Sequence, residues 1–285
     1  MLPLGRGIHV AGLVALMAAH PAQAQSVPPT ALGAGRLVER NLALPTLFVV
    51  GDSTANNNAN GGLGWGDPFM AYVDASKISV VNRARAGRSS RTFVTEGLWD
   101  RVLTDLKSGD VVLIQFGHND AGAVNDDSRA RGSLPGIGEE TQEIDNLLTK
   151  QHEVVHTFGW YMRKMIAETK TKGATPIVFS LTVRNIWKDG KVERGSGKFG
   201  QWSAEIAAAE RVQFIDLTTL IADRYEQLGE EQVKPLFGPD HTHTSPAGAE
   251  INASLVVAGL KGLAACPVCA AFSAKGGAVP AAARH

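Results

Sequence analysis

Short apolar runs alternate with amphipathic stretches along most of this chain. The runs TLFVV (46 to 50), ISVVN (78 to 82), VVLIQF (111 to 116), PIVFSL (176 to 181) and VQFID (212 to 216) are nearly continuous in hydrophobic residues. Such runs predict strands buried on both faces. Between them, Leu98, Trp99, Val102, Leu103 and Leu106 recur at helical spacing, as do Phe158, Tyr161, Met162, Met165 and Ile166, which Gly173 closes. Leu217, Leu220, Ile221 and Tyr225 mark a third helix. A last helix is expected from SPAGAE, with Ser245 as N-cap, Pro246 in the first turn and Ile251, Leu255 and Ala258 facing inward. Strands separated by helices predict an α/β fold with a five-stranded parallel sheet covered on both faces. Residues 121 to 150 are polar and Gly-rich, and are read as a substrate-facing loop after the third strand.

Composition adds the setting. With 285 residues, 44% of them hydrophobic and 20% charged, the chain suits one large domain. Residues 1 to 24 stand apart: Arg6, then an apolar run, then Ala22-Gln23-Ala24 follow the order of a signal peptide, and the run is too short to span a bilayer. Export to the periplasm or the medium is therefore expected. Losing that segment removes only Arg6 from a balance of 28 basic and 28 acidic residues. A nearly neutral chain with no basic stripe and no further long apolar run argues against nucleic acid or membrane as partner. The cysteines, Cys266 and Cys269, close the apolar region and suit a local disulfide better than redox chemistry.

In an open parallel sheet, ligands lie beyond the carboxyl ends of the strands. Gly51-Asp52-Ser53-Thr54 follows the first strand, Ala86-Gly87-Arg88 the second, and Gly117-His118-Asn119-Asp120 the third; Asp240-His241-Thr242-His243 precedes the last helix. A serine hydroxyl attacks a carbonyl only when a base takes its proton, and the base works best when a third group fixes its tautomer. Ser53, His243 and Asp240 can fill these roles. The resulting oxyanion needs donors held in place, and the backbone N–H groups of Ser53 and Gly87 with the amide of Asn119 are suitable.

Gly51-Asp52-Ser53, Gly87, Asn119 and Asp240-x-x-His243 together resemble the four blocks of the GDSL, or SGNH, hydrolases over roughly residues 46 to 262. GDSTANNN, FGHND and DHTHTSPAGA are similar to the rhamnogalacturonan acetylesterase branch. The resemblance implies a flavodoxin-like three-layer sandwich, a covalent acetyl-enzyme and no cofactor. It implies an acetylated polysaccharide or oligosaccharide as substrate, most plausibly pectic, with acetylxylan or another acylated glycan as the alternative. Thr54 stands where the family name has leucine. The chain then divides into a signal peptide (1–24), a lead (25–44), the hydrolase domain (45–265) and a CxxC with a flexible tail (266–285), and it is expected to act as a monomer.

Three residues are candidates for touching sugar: Trp65 in GGLGWG, and Arg184 and Trp187 after the fourth strand. A competing motif is HEVVH, His152 to His156, which has the zinc-peptidase pattern. It is expected to open the helix through Phe158 and Tyr161. The longer zinc signature fails at Met162, and Pro176 stands where another peptidase class needs a carboxylate, so no metal site is assigned. A glycan-binding protein without catalysis is a third possibility, and the intact nucleophile, base and donors argue against it.

Overall fold

Five strands form one parallel sheet because each is apolar on both faces and each lies between helices. In chain order the elements are β1 (Thr46–Gly51), α1 (Gly66–Phe69), β2 (Ser79–Asn82), α2 (Ser90–Thr95), α3 (Leu98–Asp105), β3 (Val111–Gln115), β4 (Thr141–Asp145) and β5 (His152–His156). There follow α4 (Phe158–Thr171), β6 (Thr175–Phe179), β7 (Trp187–Lys188), β8 (Lys191–Val192), α5 (Phe199–Ala209), β9 (Gln213–Ile215), α6 (Leu217–Leu228), α7 (Glu230–Val233), α8 (Pro246–Gly262) and α9 (Ala274–Ala278). The computed structural model describes Met1, residues 40–195 and residues 197–283. The expected signal peptide beyond Met1, and the lead up to residue 39, lie outside the described residues.

The parallel sheet has the order β2-β1-β3-β6-β9. Along β1 the side chains alternate: Leu47 and Val49 enter one core, with Trp65, Phe69, Ile221, Tyr225 and Val256, while Phe48 and Val50 enter the other, with Phe93, Trp99, Phe158, Met162 and Ile206. Helices α1, α6 and α8 thus cover one face and α2 to α5 the other, giving three layers. The chain order reverses next to β1, so the loops after β1, β2, β3 and β6 gather at one edge.

Three expectations are corrected. HEVVH is strand β5, antiparallel to β4, and helix α4 begins only after it, where the Thr157 hydroxyl accepts from the Trp160 N–H at 3.0 Å. Residues 121 to 150 are therefore not all loop, since their last third supplies β4. The tail is not loose: Phe272 bridges Val73, the Ser273 N–H donates to the Tyr72 carbonyl at 3.0 Å, and the Ala282 N–H to the Ala258 carbonyl at 2.9 Å. Residues from 40 onward accordingly form a single unit that includes the tail. Cys266 and Cys269 are joined in a disulfide. On α8, Ala249, Ala253, Val256, Val257 and Leu260 are fully buried, whereas Ile251 and Leu255 sit at the margin.

Candidate active site

The turn after β1 is stiffened from below. Asp52 is fully buried, and its Oδ1 accepts from both the N–H and the hydroxyl of Thr54 at 2.8 Å. Thr54 Oγ1 in turn accepts from Gln115 Nε2 at 3.0 Å, and Gln115 Oε1 from Trp65 Nε1 at 2.7 Å. This chain explains why a threonine fits where the family name has leucine: its hydroxyl joins a buried polar row. It also corrects the reading of Trp65. That side chain is fully buried, edge-on to Phe69, and cannot stack on a sugar; it carries the floor of the turn. Ser53 is left just at the surface, 8% exposed.

The segment before α8 brings the base. Ser53 Oγ and His243 Nε2 lie 2.8 Å apart, and His243 Nδ1 lies 2.8 Å from Asp240 Oδ2. A carboxylate only accepts, so the ring proton sits on Nδ1 and Nε2 is free to accept from Ser53. The other carboxylate oxygen of Asp240 accepts from the backbone N–H groups of Thr242 and His243, at 2.7 and 2.8 Å. Partial burial pushes the Asp240 carboxyl up, but the His243 ring and these two N–H groups outweigh it and hold it at about 2. It stays charged through the range in which an imidazole can act as base.

Three donors lie on the loops that follow β1, β2 and β3. Gly87 has φ +79°, a left-handed conformation that glycine adopts freely and that turns its N–H away from the strand direction. Neither that N–H nor the Ser53 N–H has an acceptor among the described residues. Asn119 Nδ2 donates one hydrogen to the Arg88 carbonyl at 2.9 Å, which fixes the amide and leaves its second hydrogen unused. A hydroxyl paired with a base, beside unspent donors, is the equipment for acyl transfer through a tetrahedral oxyanion.

Residues 49–251 match the model of the GDSL-like lipase/acylhydrolase family. The chain belongs to that family. As a member it is an ester hydrolase. Among similar proteins, a rhamnogalacturonan acetylesterase of Emericella nidulans is 33% identical over 208 residues, 73% of this chain and 81% of that one. The rhamnogalacturonan acetylesterase RhgT of Bacillus subtilis is 28% identical over 235 residues, 76% of this chain and 90% of its own length. Among solved structures, that of the Bacillus subtilis protein YxiM superposes with a TM-score of 0.61 at 27% identity, covering 76% of this chain and 56% of that one. The present chain thus spans little more than half of YxiM.

In this GDSL-family hydrolase the loops after β2 and β3 are joined by a closely bonded network. Asp120, fully buried, accepts from the N–H of Ser90 at 3.1 Å, from the Ser90 hydroxyl at 2.5 Å and from the Ser133 hydroxyl at 3.0 Å. Burial raises its carboxyl to about 6 against the pull of these bonds. Arg91, also without exposure, meets Glu153 through two bonds of 2.7 Å and donates to the carbonyls of Val124 and Gly132 at 2.7 Å. Arg131 donates to the Gly87 carbonyl at 3.1 Å. Burial pushes the Glu153 carboxyl up, yet the bonds from Arg91 and Asn146 and the Arg91 charge bring it below its ordinary value.

Glu153 therefore has a structural partner on one face of β5, while His152 and His156 point to the other. Four residues of strand separate those histidines by roughly 13 Å along the chain, at about 3.3 Å per residue, so they do not converge on an ion. His156 instead stacks on Trp160 with ring centres 3.8 Å apart. The opposite wall follows β6. His118 is buried, its Nε2 3.1 Å from Thr182 Oγ1, and burial holds its ring below the ordinary range. Arg184 and Trp187 are half-buried. The Trp187 indole donates to Asn185 Oδ1 at 2.8 Å and packs on the core, a placement that explains the residue without a sugar.

Proposed function

We propose that this hydrolase removes acetyl groups from a plant cell-wall polysaccharide, most simply rhamnogalacturonan, through an acetyl-enzyme formed on Ser53. The single observation that carries the chemistry is the unbroken row Asp240–His243–Ser53, with 2.8 Å at both steps. His243 takes the Ser53 proton as Oγ attacks the ester carbonyl, and Asp240 stabilises the imidazolium that forms. The Ser53 and Gly87 N–H groups and the Asn119 amide receive the negative oxygen. The proton then passes to the departing sugar hydroxyl. Water repeats the sequence on the acetyl-enzyme, releasing acetate and restoring Ser53.

The acetyl-glycan part of this reading is supported by relatives named for rhamnogalacturonan deacetylation, which this chain matches over most of their length. Export is supported by the charge, apolar run and Ala-Gln-Ala order of residues 1 to 24. The domain division in this reading keeps that leader separate and joins residues 266–283 to the hydrolase domain.

Purified protein given para-nitrophenyl acetate and acetylated pectin, with a chelator or a serine-directed sulfonyl fluoride, tests the reading. Acetate release that survives the chelator and is lost with the sulfonyl fluoride is expected. Release that the sulfonyl fluoride leaves intact contradicts the serine route, and retention of pectin without turnover contradicts an enzyme.

A further inference from the structure

Arg184 has no acceptor among the described residues. It is half-buried, and its Nε is sealed from solvent and donates to nothing. Among the described residues the other arginines withdrawn from solvent are all partnered, including Arg88 with Glu96, Arg91 with Glu153 and Arg131 with the Gly87 carbonyl. Arginines without a partner, such as Arg101 and Arg224, are exposed, where water serves. A guanidinium carries five donors and cannot give up its charge, so withdrawing it from water without a protein acceptor is unfavourable. The sequence tolerates that here, on the loop after β6.

The position of Arg184 is held from both sides. Two residues before it, Thr182 Oγ1 meets His118 Nε2 at 3.1 Å, next to the oxyanion amide of Asn119. One residue after it, the Asn185 N–H donates to the His241 carbonyl at 2.7 Å, in the segment that carries the catalytic imidazole. Its charge acts on the buried His118 ring along with those of Asp52 and His243. The backbone on either side of Arg184 is therefore tied to the two segments that carry Asn119 and His243.

We propose that Arg184 anchors the carboxylate of a uronic acid neighbouring the acetylated sugar. This rests on the rhamnogalacturonan reading above and gives the uronate of that backbone a partner in the protein. The planar fork of a guanidinium matches a carboxylate in two parallel hydrogen bonds, and a neutral xylan backbone offers no group of that kind. Arg88 and Arg131, half-buried cations near the donors, are already committed to Glu96 and to the Gly87 carbonyl. Arg85 is exposed.

The experiment uses the whole protein and one acetylated pectic oligosaccharide in two forms, with carboxylates free or methyl-esterified. Wild type is expected to favour the free acid about ten- to a hundredfold in kcat/KM, carried by KM. Arg184→Gln should bring that ratio close to one, and Arg184→Lys should retain part of it, since an ammonium keeps the charge but loses the fork. No preference in wild type, or an equal preference in Arg184→Gln, overturns the anchor. Unacetylated oligogalacturonate is also tested as an inhibitor of para-nitrophenyl acetate hydrolysis. If no acetylated glycan is turned over, the substrate reading fails, yet competitive inhibition that weakens about tenfold or more in Arg184→Gln still supports the anchor. Absence of inhibition in wild type overturns the anchor whether or not any variant folds.

Discussion

The two walls of the cleft are built on opposite terms. On the side of α2, β4 and β5, the buried charged groups are bonded to protein: Arg91 to Glu153 and two carbonyls, Asp120 to two serines. On the side after β6, Arg184 Nε and, on the loop after β3, His118 Nδ1 have no partner among the described residues, nor has Asp52 Oδ2; on the first side His156 Nδ1 shares that lack, but no charged group there does. The difference follows from what each wall meets. Donors for an oxyanion act by being in place before charge develops, so their supports must be saturated. A group that greets the substrate must keep its hydrogen bonds unspent.

Substitutions at the centre, on each wall and beneath them test that contrast. Ser53→Ala should lower kcat by about ten-thousandfold or more while the melting temperature holds, placing the chemistry apart from both walls; steady-state kinetics with calorimetry read both. Arg91→Met leaves the part-buried Glu153 without its counter-charge, with only the Asn146 amide still bonded to it, and urea unfolding should show a loss of about 3 kcal/mol. Asn119→Ala should reduce kcat about a hundredfold or more with the fold intact, and an unchanged rate would remove that amide from the oxyanion site.

Asp120 gives a smaller effect with a definite sign. Its carboxyl is raised to about 6 when folded, so the folded chain holds that proton more tightly than the unfolded one. The stability that Asp120 contributes should therefore be fullest in acid and fall as pH climbs from about 4 through about 6, by on the order of 1–3 kcal/mol. Unfolding of wild type and Asp120→Asn at pH 4 and 7 should show that fall in the first and much less in the second. Least affected should be the stability of Arg184→Met, within about 0.5 kcal/mol of wild type. Losses equal to those of Arg91→Met would erase the contrast.

Much of this was legible because it is local. The strands announced themselves as apolar runs; Ser53, Gly87 and Asn119 each follow one of them, and Asp240 and His243 precede the helix that Ser245 caps. What was hidden depends on partners far away in the chain. Nothing around Glu153 indicates Arg91, 62 residues earlier, and without that bond HEVVH read as the start of a helix. Val154 and Val155 favour a strand, and Thr157 is an N-cap, a signal that places the helix start after the motif. Trp65 was misread for the same reason. Its acceptor is Gln115, on β3, and burial of an aromatic in a Gly-rich loop leaves no local trace. The tail looked loose because its Ala and Gly lack bulk, but small residues allow the close approach that Gly276 makes to the Tyr72 carbonyl.

The covalent step is open to direct measurement. Wild type mixed with an acetyl ester, quenched in acid within the turnover time and digested, should yield the peptide containing Ser53 heavier by one acetyl group, and Ser53→Ala should yield none. Label on another residue, or turnover at full rate with the Ser53 peptide never modified, would contradict a serine nucleophile.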